Sequence, residues 1–466
     1  MGPQVKGRHG QVMVFDPAEL ARWTGGQWSA PPPASIEGLH FDTRLMQPGA
    51  GFIALRHGKR DGHDFLEAAS EAGASCAIVE QVCKSPLPQL LVADCLKALA
   101  DIAQARRERF RRPVIGITGS CGKTSTKGIL QRLLGASRCH ATPGNWNNRI
   151  GVPMTLFGLD SEQQKFAVIE AGISEPGEMK ALSAMIQPDL AIVTHVGPAH
   201  LEGLGTIEGV AREKALLMAH ARSDARLVVP ESVYAFPEFK AHAARTCLVL
   251  EGEAVAPDPA PAQLVRYRRT EGGIALLEKE YPFPCASAGM CSNAALALVA
   301  AQLLEADLVA GTDSLASWQP DPRRGQYLES GDQSFYVDCY NANPASMLDA
   351  MRAFEATVPV EVGRAYVLGA MQELGTAEVA LHKELGRSLR LRPNDTLWLV
   401  GPPSLTGAYA AGAYAAGLLP EQVVIAPSVD AIKSGIAAFK GAVFLKGSRY
   451  YKLETLLPES LNLNPE

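Results

Sequence analysis

The sequence has no Cys-x-x-Cys pair, no apolar run long enough to cross a bilayer and no excess of positive charge. Its nine cysteines stand singly, so their spacing gives no framework for a metal or for disulfides and favours a reduced compartment. The net charge of −5 excludes a global positive field that would hold nucleic acid. The first ten residues lack the apolar region of a secretion signal. We therefore expect a cytoplasmic protein without membrane insertion and without a nucleic-acid partner.

The composition is that of an ordinary globular protein, with 47% hydrophobic and 20% charged residues. A chain of 466 residues predicts about three domains, each large enough for its own core. The basic cluster at residues 106–112 is interpreted as the solvated end of a helix followed by a linker. The alternative for this cluster is the steering of phosphate groups.

A glycine-rich segment follows the short apolar run Val114-Ile115. It reads Gly116-Ile-Thr-Gly-Ser-Cys-Gly-Lys-Thr-Ser-Thr126. A turn of this kind between a strand and a helix exposes backbone N–H groups at a helix N-terminus, where an anion is favoured. Lys123 can reach the outer phosphates of a nucleotide, and the Thr124 hydroxyl can ligate Mg²⁺. The common P-loop has a glycine where this chain has Ile117, so the loop here is tighter and starts at Gly119. The segment predicts a site for ATP or a related nucleotide; the alternative is a glycine-rich turn with an ordinary lysine.

Short apolar runs alternate with helical patterns along the chain, which predicts three α/β units. The expected domains are residues 1–110, 111–322 and 323–466. Helices are predicted at residues 96–109 and 293–304, and the tandem Ala-Tyr-Ala-Ala-Gly at 408–417 is predicted to be a small-residue helix. The five strands of the third unit are typical of a doubly wound sheet. The predicted strands are residues 51–55, 76–79, 114–115, 166–169, 190–193, 226–229, 335–337, 365–368, 397–400, 423–425 and 443–445.

Titratable side chains stand at the ends of the strands predicted in the second unit. Glu170 ends one strand, and His195 and His200 follow the next. Ligands of open α/β sheets bind beyond the carboxyl ends of the strands, so these side chains could face nucleotide phosphates and a carboxylate there could hold Mg²⁺. The alternatives are a helix-capping acid for Glu170 and a satisfied loop histidine for His200. Lys214, taken alone, is interpreted as a solvated lysine.

Two polar segments follow strands of the third unit. Asp338-Cys-Tyr-Asn-Ala-Asn-Pro344 offers a carboxylate and amides that suit either a turn or hydrogen bonds to a nucleotide. Leu445-Lys-Gly-Ser-Arg449 places two cations and a hydroxyl after the last strand, which suits an anionic substrate group.

With these segments in view, the chain resembles the Mur ligases, the ATP-dependent amide-forming enzymes of peptidoglycan precursor synthesis. Within that family it is most similar to the branch that adds D-alanyl-D-alanine. The segments Gly144-Asn-Trp-Asn-Asn148 and Tyr340-Asn-Ala-Asn-Pro344 are highly specific for this branch, and the Asp-Asn-Pro-Arg segment of a neighbouring branch is absent. The other segments that carry the resemblance are Asp42-Thr-Arg44, Asp61-Gly-His63, Gly119 to Ser125, Gly151-Val-Pro153, Pro198-Ala-His-Leu-Glu-Gly203, Glu373-Leu-Gly375 with His382, and Lys446-Gly-Ser-Arg449.

The resemblance implies an α/β fold of three domains. These are a small N-terminal α/β domain for the UDP-sugar, a central P-loop ATPase-like parallel sheet, and a C-terminal Rossmann-like domain that closes over the site. It implies ATP and Mg²⁺ as cofactors, with UDP-N-acetylmuramoyl-tripeptide and D-alanyl-D-alanine as substrates. Three domains that close on hinges would work as a monomer.

The resemblance also implies roles for individual residues. The catalytic residues would be Lys123, Glu170, His200 and Lys214. Metal would be held by Thr124, Glu170, His200 and Lys214, the last after carbamylation. The nucleotide would contact Gly119, Ser120, Gly122, Lys123, Thr124, Ser125, Asn293, Arg324 and Asp338. The two substrates would contact Asp42, Thr43, Arg44, Asn145, Asn148, Asn341, Asn343, Lys446 and Ser448.

Four places depart from the family's pattern. They are His195 in place of asparagine, residues 287–292 in place of a loop with Gly-x-His-Asn, Ala370 in place of aspartate, and Ala215-Leu216 in place of Gly-Glu. Two alternatives therefore stay open: a related enzyme that joins a different amine and carboxylate, and a nucleotide-binding pseudoenzyme that serves as a scaffold. The joint presence of the catalytic residues named above argues against the scaffold.

Overall fold

The computed structural model describes residues 13–255, 257–285, 287–306 and 315–461. Three mixed or parallel sheets follow one another along this part of the chain, each flanked by helices. The α/β class expected from the alternating apolar runs is confirmed. The prediction made for the first ten residues lies outside the described residues.

The first sheet is small and mixed. Its part of the chain contains β1 (Val14–Phe15), α1 (Pro17–Thr24), β2 (Gln27–Trp28), β3 (Ile36–Glu37), β4 (Leu39–His40), β5 (Gly51–Ile53), β6 (Arg56–His57), β7 (Arg60–Asp61), α2 (Leu66–Glu71), β8 (Cys76–Val79), β9 (Gln89–Leu91) and α3 (Cys95–Arg109). The sheet order is β2-β9-β8-β5-β4, and only the β2–β9 pair is antiparallel. The predicted strands at 51–55 and 76–79 and the helix at 96–109 are confirmed, with small shifts at their ends.

The second sheet carries the glycine-rich loop. Its elements are β10 (Val114–Thr118), α4 (Lys123–Leu133), β11 (Cys139–Ala141), α5 (Gly151–Phe157), β12 (Phe166–Glu170), α6 (Glu178–Ile186), β13 (Leu190–Val193), α7 (Leu201–Leu204), α8 (Ile207–Ala215), β14 (Arg226–Pro230), α9 (Glu231–Tyr234), α10 (Pro237–Lys240), β15 (Thr246–Glu251), β16 (Gln263–Thr270), β17 (Gly273–Leu276), β18 (Lys279–Pro282) and α11 (Ala288–Leu303). The order is β11-β12-β10-β13-β14-β15-β16-β17-β18, parallel as far as β16 and antiparallel beyond it. Sequence analysis predicted β10, β12, β13 and β14 but not the antiparallel extension.

The third sheet is the doubly wound one that its strand pattern predicts. Its elements are β19 (Gln326–Ser330), β20 (Gln333–Val337), α12 (Pro344–Thr357), β21 (Arg364–Gly369), α13 (Glu378–Arg387), β22 (Thr396–Val400), α14 (Pro403–Ala415), β23 (Val423–Ala426), α15 (Lys433–Ala438) and β24 (Gly441–Lys446). The order is β19-β20-β24-β21-β22-β23, with only the β19–β20 hairpin antiparallel. The tandem repeat lies in and just beyond α14, so a small-residue helix is confirmed there.

The basic cluster at residues 106–112 differs from its interpretation as a solvated helix end. Arg107 is only 2% exposed. Its guanidinium donates to the backbone oxygens of Ile186 and Gln187 and to Asp189 Oδ2, each at 2.7 Å. The guanidinium of Arg109 stacks over Trp23 at 4.7 Å from the ring centroid. The interpretation is wrong for Arg107, because α3 packs against α5 and α6 and buries this side chain, whereas Arg109 remains exposed as predicted.

Two further comparisons with the sequence concern the membrane and the cysteines. The first concerns the membrane: within the described ranges, no helix is long and apolar enough to cross a bilayer, as the lack of a long apolar run predicts. The second concerns a pair of cysteines. Cys285, which precedes α11, and Cys291, in the first turn of α11, lie side by side with their Cα atoms 5.5 Å apart. The spacing of the cysteines did not indicate this pair, because a separation of six residues becomes a close approach only when the turn is formed.

Candidate active site

The glycine-rich loop between β10 and α4 takes a shape that only glycine permits at two positions. Gly119 and Gly122 have φ angles of +155° and +82°. A Cβ at Gly119 would lie 2.0 Å from Thr194 Oγ1, and a Cβ at Gly122 would lie 2.4 Å from Asn293 Oδ1. The loop therefore packs closely against the segment that follows β13 on one side and against the first turns of α11 on the other.

The segment after β13 holds the loop from behind. The Ser120 N–H donates to the carbonyl oxygen of His195 at 2.8 Å, and the Ser120 hydroxyl donates to that of Gly197 at 3.0 Å. The Thr194 hydroxyl donates to the carbonyl oxygen of Cys121. Because its partners are provided by the protein, the loop is set in place before any nucleotide binds.

Lys123 and Thr124 begin helix α4 and turn toward the end of β12. Lys123 Nζ donates to the carbonyl oxygen of Gly119 at 2.7 Å, across the loop that it follows. The Thr124 hydroxyl donates to Glu170 Oε2 at 3.0 Å. Burial lowers the pKa of Lys123, and Glu170 acts in the opposite direction. The P-loop lysine, the hydroxyl and the carboxylate at the strand end thus meet at one edge of the sheet, as the sequence predicts.

Glu170 is the centre of a buried polar cluster that also contains two residues sequence analysis missed. Asn147 Nδ2 donates to Glu170 Oε1 at 2.8 Å, and Lys127 Nζ lies 3.2 Å from Glu170 Oε2. Burial alone would raise the pKa of Glu170, but Lys127 and Lys123 outweigh it and the net pKa is lowered. Lys127 follows Lys123 by four residues on one helix face, which is the signal that could have revealed it.

The donor set at this edge suits a hard divalent cation. The Thr124 hydroxyl and the Glu170 carboxylate are adjacent oxygen donors, the type of group that Mg²⁺ prefers, and together they would help to hold the ion. In the described part of the chain, no group of three or more His, Cys, Asp or Glu side chains could hold a metal by itself.

The other candidate catalytic residues lie on the segments that follow β13. Lys214 is 1% exposed in the last turn of α8, so its interpretation as a solvated lysine is wrong. Burial, reinforced by Lys123, lowers its pKa well below the ordinary value. His200 immediately precedes α7, and its Nδ1 lies 2.5 Å from Oε2 of Glu373, a residue that follows β21 of the third sheet. Burial and then Lys214 lower the pKa of His195.

Residues that follow the strands of the third sheet form the opposite side of the site. Lys446 Nζ, at the end of β24, donates to Asp338 Oδ2 at 2.6 Å and to the backbone oxygen of Asn341 at 3.2 Å. The guanidinium of Arg324 lies over the Tyr340 ring, 3.9 Å from its centroid. The Lys446–Asp338 pairing brings together two segments separated by more than a hundred residues.

Asn343 joins the two sides directly. Its side-chain amide donates to the carbonyl oxygen of Ser120 at 3.2 Å, and its Oδ1 caps helix α12. Ser448 lies nearby in sequence to Lys446, and its hydroxyl donates to Gln372 Oε1 at 3.1 Å. The residues predicted for the nucleotide therefore come from both sheets and face each other across one junction.

Some predicted substrate residues make contacts only within their own segments. Arg44 forms an exposed ion pair with Asp42 in the turn after β4, and Thr43 lies between them. Asn148 Oδ1 accepts from the Gly151 N–H at 2.8 Å, so it holds the start of α5, and Asn145 is exposed. Nothing in these contacts joins the five residues to the phosphate loop.

The fold and this junction define a multidomain α/β protein with a phosphate loop, of the class that binds nucleotides between domains. Residues 117–301 match the family model of the Mur ligase middle domain, and residues 323–449 match that of the Mur ligase glutamate ligase domain. Two ligases named UDP-N-acetylmuramoyl-tripeptide–D-alanyl-D-alanine ligase are each 31% identical to the chain. The one from Bacillus subtilis aligns over 78% of this chain and 80% of its own length, and the one from Synechocystis over 81% and 82%.

Solved structures agree with these relatives. A crystal structure of MurF from Acinetobacter baumannii has a TM-score of 0.82 and 26% identity and covers 96% of this chain and 98% of its own. The MurF ligase of Thermotoga maritima in complex with ADP has a TM-score of 0.74 and 24% identity, covers 90% of this chain and 95% of its own, and shares the fold. The chain belongs to the Mur ligase family. The three-domain α/β architecture and the enzyme class expected from the sequence, a ligase, are confirmed.

Proposed function

We propose that this chain is an ATP-dependent ligase that joins D-alanyl-D-alanine to UDP-N-acetylmuramoyl-tripeptide in peptidoglycan precursor synthesis. The observation that carries the proposal is its 31% identity, over 376 residues, to a ligase of that name. The phosphate loop facing the Asp338–Lys446 pair gives the proposal its chemical basis. We further propose that the enzyme is a cytoplasmic monomer with domains at residues 1–110, 111–322 and 323–466.

The reaction has two steps. A carboxylate oxygen of the tripeptide bonds to the γ-phosphorus of ATP as the bond to ADP breaks. The amine of D-alanyl-D-alanine then bonds to the acyl carbon, loses a proton and displaces inorganic phosphate. The first step is needed because a carboxylate is a poor electrophile, and it brings together groups of like charge that cations must neutralise.

The nucleotide is assigned to the junction between the two larger sheets. Lys123, now bonded to the Gly119 carbonyl, would move to the outer phosphates, which offer a stronger, charged acceptor. The other proposed nucleotide contacts are Gly119, Ser120, Gly122, Thr124, Ser125, Asn293, Arg324 and Asp338. Thr124, Glu170, His200 and the carbamate of Lys214 would hold Mg²⁺. When bound, the ion would stabilise negative charge on the phosphoryl oxygens.

Lys214 is proposed to act as a carbamate. Its lowered pKa favours the neutral amine, which is the form that bonds to the carbon of CO₂ and then releases a proton. The product is an anion in place of a cation, and an anion is a suitable metal partner. Burial next to Lys123 supports this role, because an unmodified ammonium would be both desolvated and repelled.

The two substrates are assigned to the remaining predicted residues. Asp42, Thr43 and Arg44 would contact the UDP-sugar. The other proposed substrate contacts are Asn145, Asn148, Asn341, Asn343, Lys446 and Ser448. Charge supports the last of these segments, since Lys446 and Arg449 are cations at the end of a strand and the tripeptide brings a carboxylate.

The test is phosphate release from ATP and Mg²⁺ with UDP-N-acetylmuramoyl-tripeptide, with and without D-alanyl-D-alanine, and with the product identified by mass. Two tripeptides are used, one with lysine and one with diaminopimelate as third residue. We expect turnover to require both substrates and to fall by at least about 100-fold in Lys123→Ala. Lys165→Ala, which changes an exposed lysine, is the matched control.

Two results would contradict the proposal. Turnover with another amine but not with D-alanyl-D-alanine would indicate a related ligase of different specificity. Nucleotide binding without turnover, in the presence of both tripeptides and the dipeptide, would favour the scaffold.

A further inference from the structure

The carboxylate of Asp349, on helix α12 of the third unit, accepts hydrogen bonds at the N-terminus of helix α11. The Ser287 hydroxyl donates to Asp349 Oδ2 at 2.6 Å, and the Gly289 N–H donates to Asp349 Oδ1 at 3.0 Å. Asp349 lies on α12, whereas Ser287 and Gly289 begin α11. A carboxylate that accepts two hydrogen bonds at a helix N-terminus is favoured both by its charge and by the helix dipole.

The fit between the two helices is close. A Cβ on Gly289 would lie 2.5 Å from Asp349 Oδ2, so the carboxylate occupies the space that any other residue would fill. Ser287 also caps its own helix, since its Oγ accepts from the Met290 N–H at 3.0 Å. These residues belong to the segment 287–292, where the sequence departs from the family's pattern.

Helix α12 touches the nucleotide half of the molecule at a second point. Asn343, at its N-terminus, donates to the carbonyl oxygen of Ser120 in the phosphate loop. Asp349 follows Asn343 by six positions, which is about 9 Å along the helix axis. The same helix therefore reaches both the phosphate loop and α11.

A predicted nucleotide residue, Asn293, lies on the same helix as Gly289 and next to the phosphate loop. Asn293 follows Gly289 by about one turn of α11, and its amide packs against Gly122 of the phosphate loop. Asp349 is also within electrostatic reach of the loop, since burial and then the charge of Asp349 raise the pKa of the Cys121 thiol to about 11. Helix α12 thus contacts both the start of α11 and the loop against which Asn293 packs.

We propose that Asp349 is a positioning residue for the nucleotide site. By its hydrogen bonds with Ser287 and Gly289, it couples the position of the C-terminal domain to the placement of Asn293 beside the phosphate loop. The inference rests on the proposed function, because it needs Asn293 to contact the nucleotide. It adds a residue and an interdomain contact that the resemblance does not imply. Asp349 itself touches no reacting atom.

The test compares nucleotide binding by the full-length wild type and four variants. Calorimetric titration with a non-hydrolysable ATP analogue and Mg²⁺ is made on Asp349→Ala, Asp349→Asn, Ser287→Ala and the Asp349→Ala/Ser287→Ala double variant. Glu361→Ala, which removes an exposed acid after α12, is the matched control. Steady-state KM for ATP, kcat, Tm and the radius of gyration from X-ray scattering are measured on the same samples.

We expect Asp349→Ala to weaken binding of the analogue about tenfold, through the loss of a charge-assisted contact. The KM for ATP should rise by a similar factor, kcat should stay within about twofold, and the radius of gyration should increase. The double variant should bind no more weakly than Asp349→Ala alone, because both changes break one contact. Asp349→Asn, which keeps the shape and one acceptor, should restore part of the affinity.

Three results would overturn the inference. They are unchanged analogue binding in Asp349→Ala, losses in Ser287→Ala and Asp349→Ala that multiply in the double variant, and a fall in kcat with an unchanged KM. If Asp349→Ala does not fold, Asp349→Asn and Ser287→Ala decide by the same criteria. A wild type that binds the analogue but does not ligate D-alanyl-D-alanine refutes the proposed substrate and leaves the titration to decide on Asp349. A wild type that binds no analogue overturns both.

Discussion

Buried polar side chains connect separate backbone segments in this protein. His63 Nε2 accepts from the Glu80 N–H at 2.9 Å while its Nδ1 contacts Asp61, and His382 Nε2 accepts from the Met371 N–H at 2.9 Å. Both histidines belong to segments that carry the family resemblance. Their contacts hold the backbone near a strand end, so each of these motif residues has a structural role within the fold.

Acid stability tests the Asp61 contact. Hydrogen bonds from the backbone and ring of His63 lower the pKa of Asp61 from 3.8 to about 2. A lowered carboxyl pKa stabilises the folded state above the unfolded value, and this contribution is lost as the pH falls from about 4 through about 2. We expect the difference in unfolding free energy between wild type and Asp61→Asn to be largest near pH 6 and to shrink toward about pH 2.5, as measured by denaturant titration.

The matched control for that experiment is Asp64→Asn, an exposed acid in the same turn. Its difference from the wild type should be small at every pH. A difference for Asp61→Asn that does not change with pH would contradict the assigned cause of the lowered pKa.

At the scale of elements, the small residues of the tandem repeat have a packing role. Helices α13 and α14 approach each other closely. A Cβ on Gly386 would lie 2.2 Å from the backbone oxygen of Tyr409, and a Cβ on Gly412 would lie 2.0 Å from the backbone oxygen of Lys383. Gly407 lies on the same helix as Gly412, but a Cβ added there would have no atom of another segment within 4 Å. Helix α14 thus combines one glycine that the packing requires with one that it does not.

Two alanine substitutions on α14 separate these cases. Gly412→Ala should lower the unfolding free energy by about 1–3 kcal/mol, because its methyl group forces the two helices apart. Gly407→Ala should raise it by about 0.5–1 kcal/mol, because alanine is the better helix former. Urea titration of the full chain measures both. Equal effects of the two substitutions would mean that helix propensity, and not close packing, governs this helix.

For the whole molecule, the first and second sheets share one core. Residues such as Leu20 and Ile102 belong to the same apolar cluster as Leu182 and Val229. The guanidinium of Arg107 lies within this junction and remains charged at neutral pH, although burial lowers its pKa to about 10. Between the second and third sheets the core is not continuous in this way: Asn343, Asp349 and His200 make polar contacts there, and only partly buried apolar residues such as Ala377 pack across. We therefore expect motion between domains at the second junction and not at the first.

Removal of the Arg107 guanidinium should destabilise the whole molecule. Arg107→Leu leaves the Ile186 and Gln187 carbonyls and Asp189 without their buried partner, at a cost of about 3–5 kcal/mol. Tm should fall by several degrees in differential scanning calorimetry. Arg111→Leu, at an exposed arginine of the same cluster, should change Tm little. A similar Tm for the two variants would contradict the role assigned to Arg107.

Much of the candidate site could be predicted from the sequence, because many of its functional side chains lie in short contiguous segments. The loop from Gly119 to Thr124 is local, and its glycines have to reverse the chain between a strand and a helix. Glu170 was predicted because parallel strands end at a common edge. Lys127 and Asn147 were missed because neither stands at a strand end: Lys127 reaches Glu170 from α4, and Asn147 reaches it from the loop before α5.

The sequence by itself determined the α/β class, most strands of the parallel sheets, the phosphate loop and the family, since these depend on periodicity and on contiguous motifs. Tertiary structure alone decided which side chains are buried and what they meet. The solvated lysine expected at Lys214 is buried, the basic cluster at Arg107 is an internal contact, and Asp349 reaches Ser287 from another domain. The physical reason is that the burial of a side chain and its hydrogen-bond partners depend on elements that are distant in the sequence. A local sequence pattern does not show which of these elements pack together.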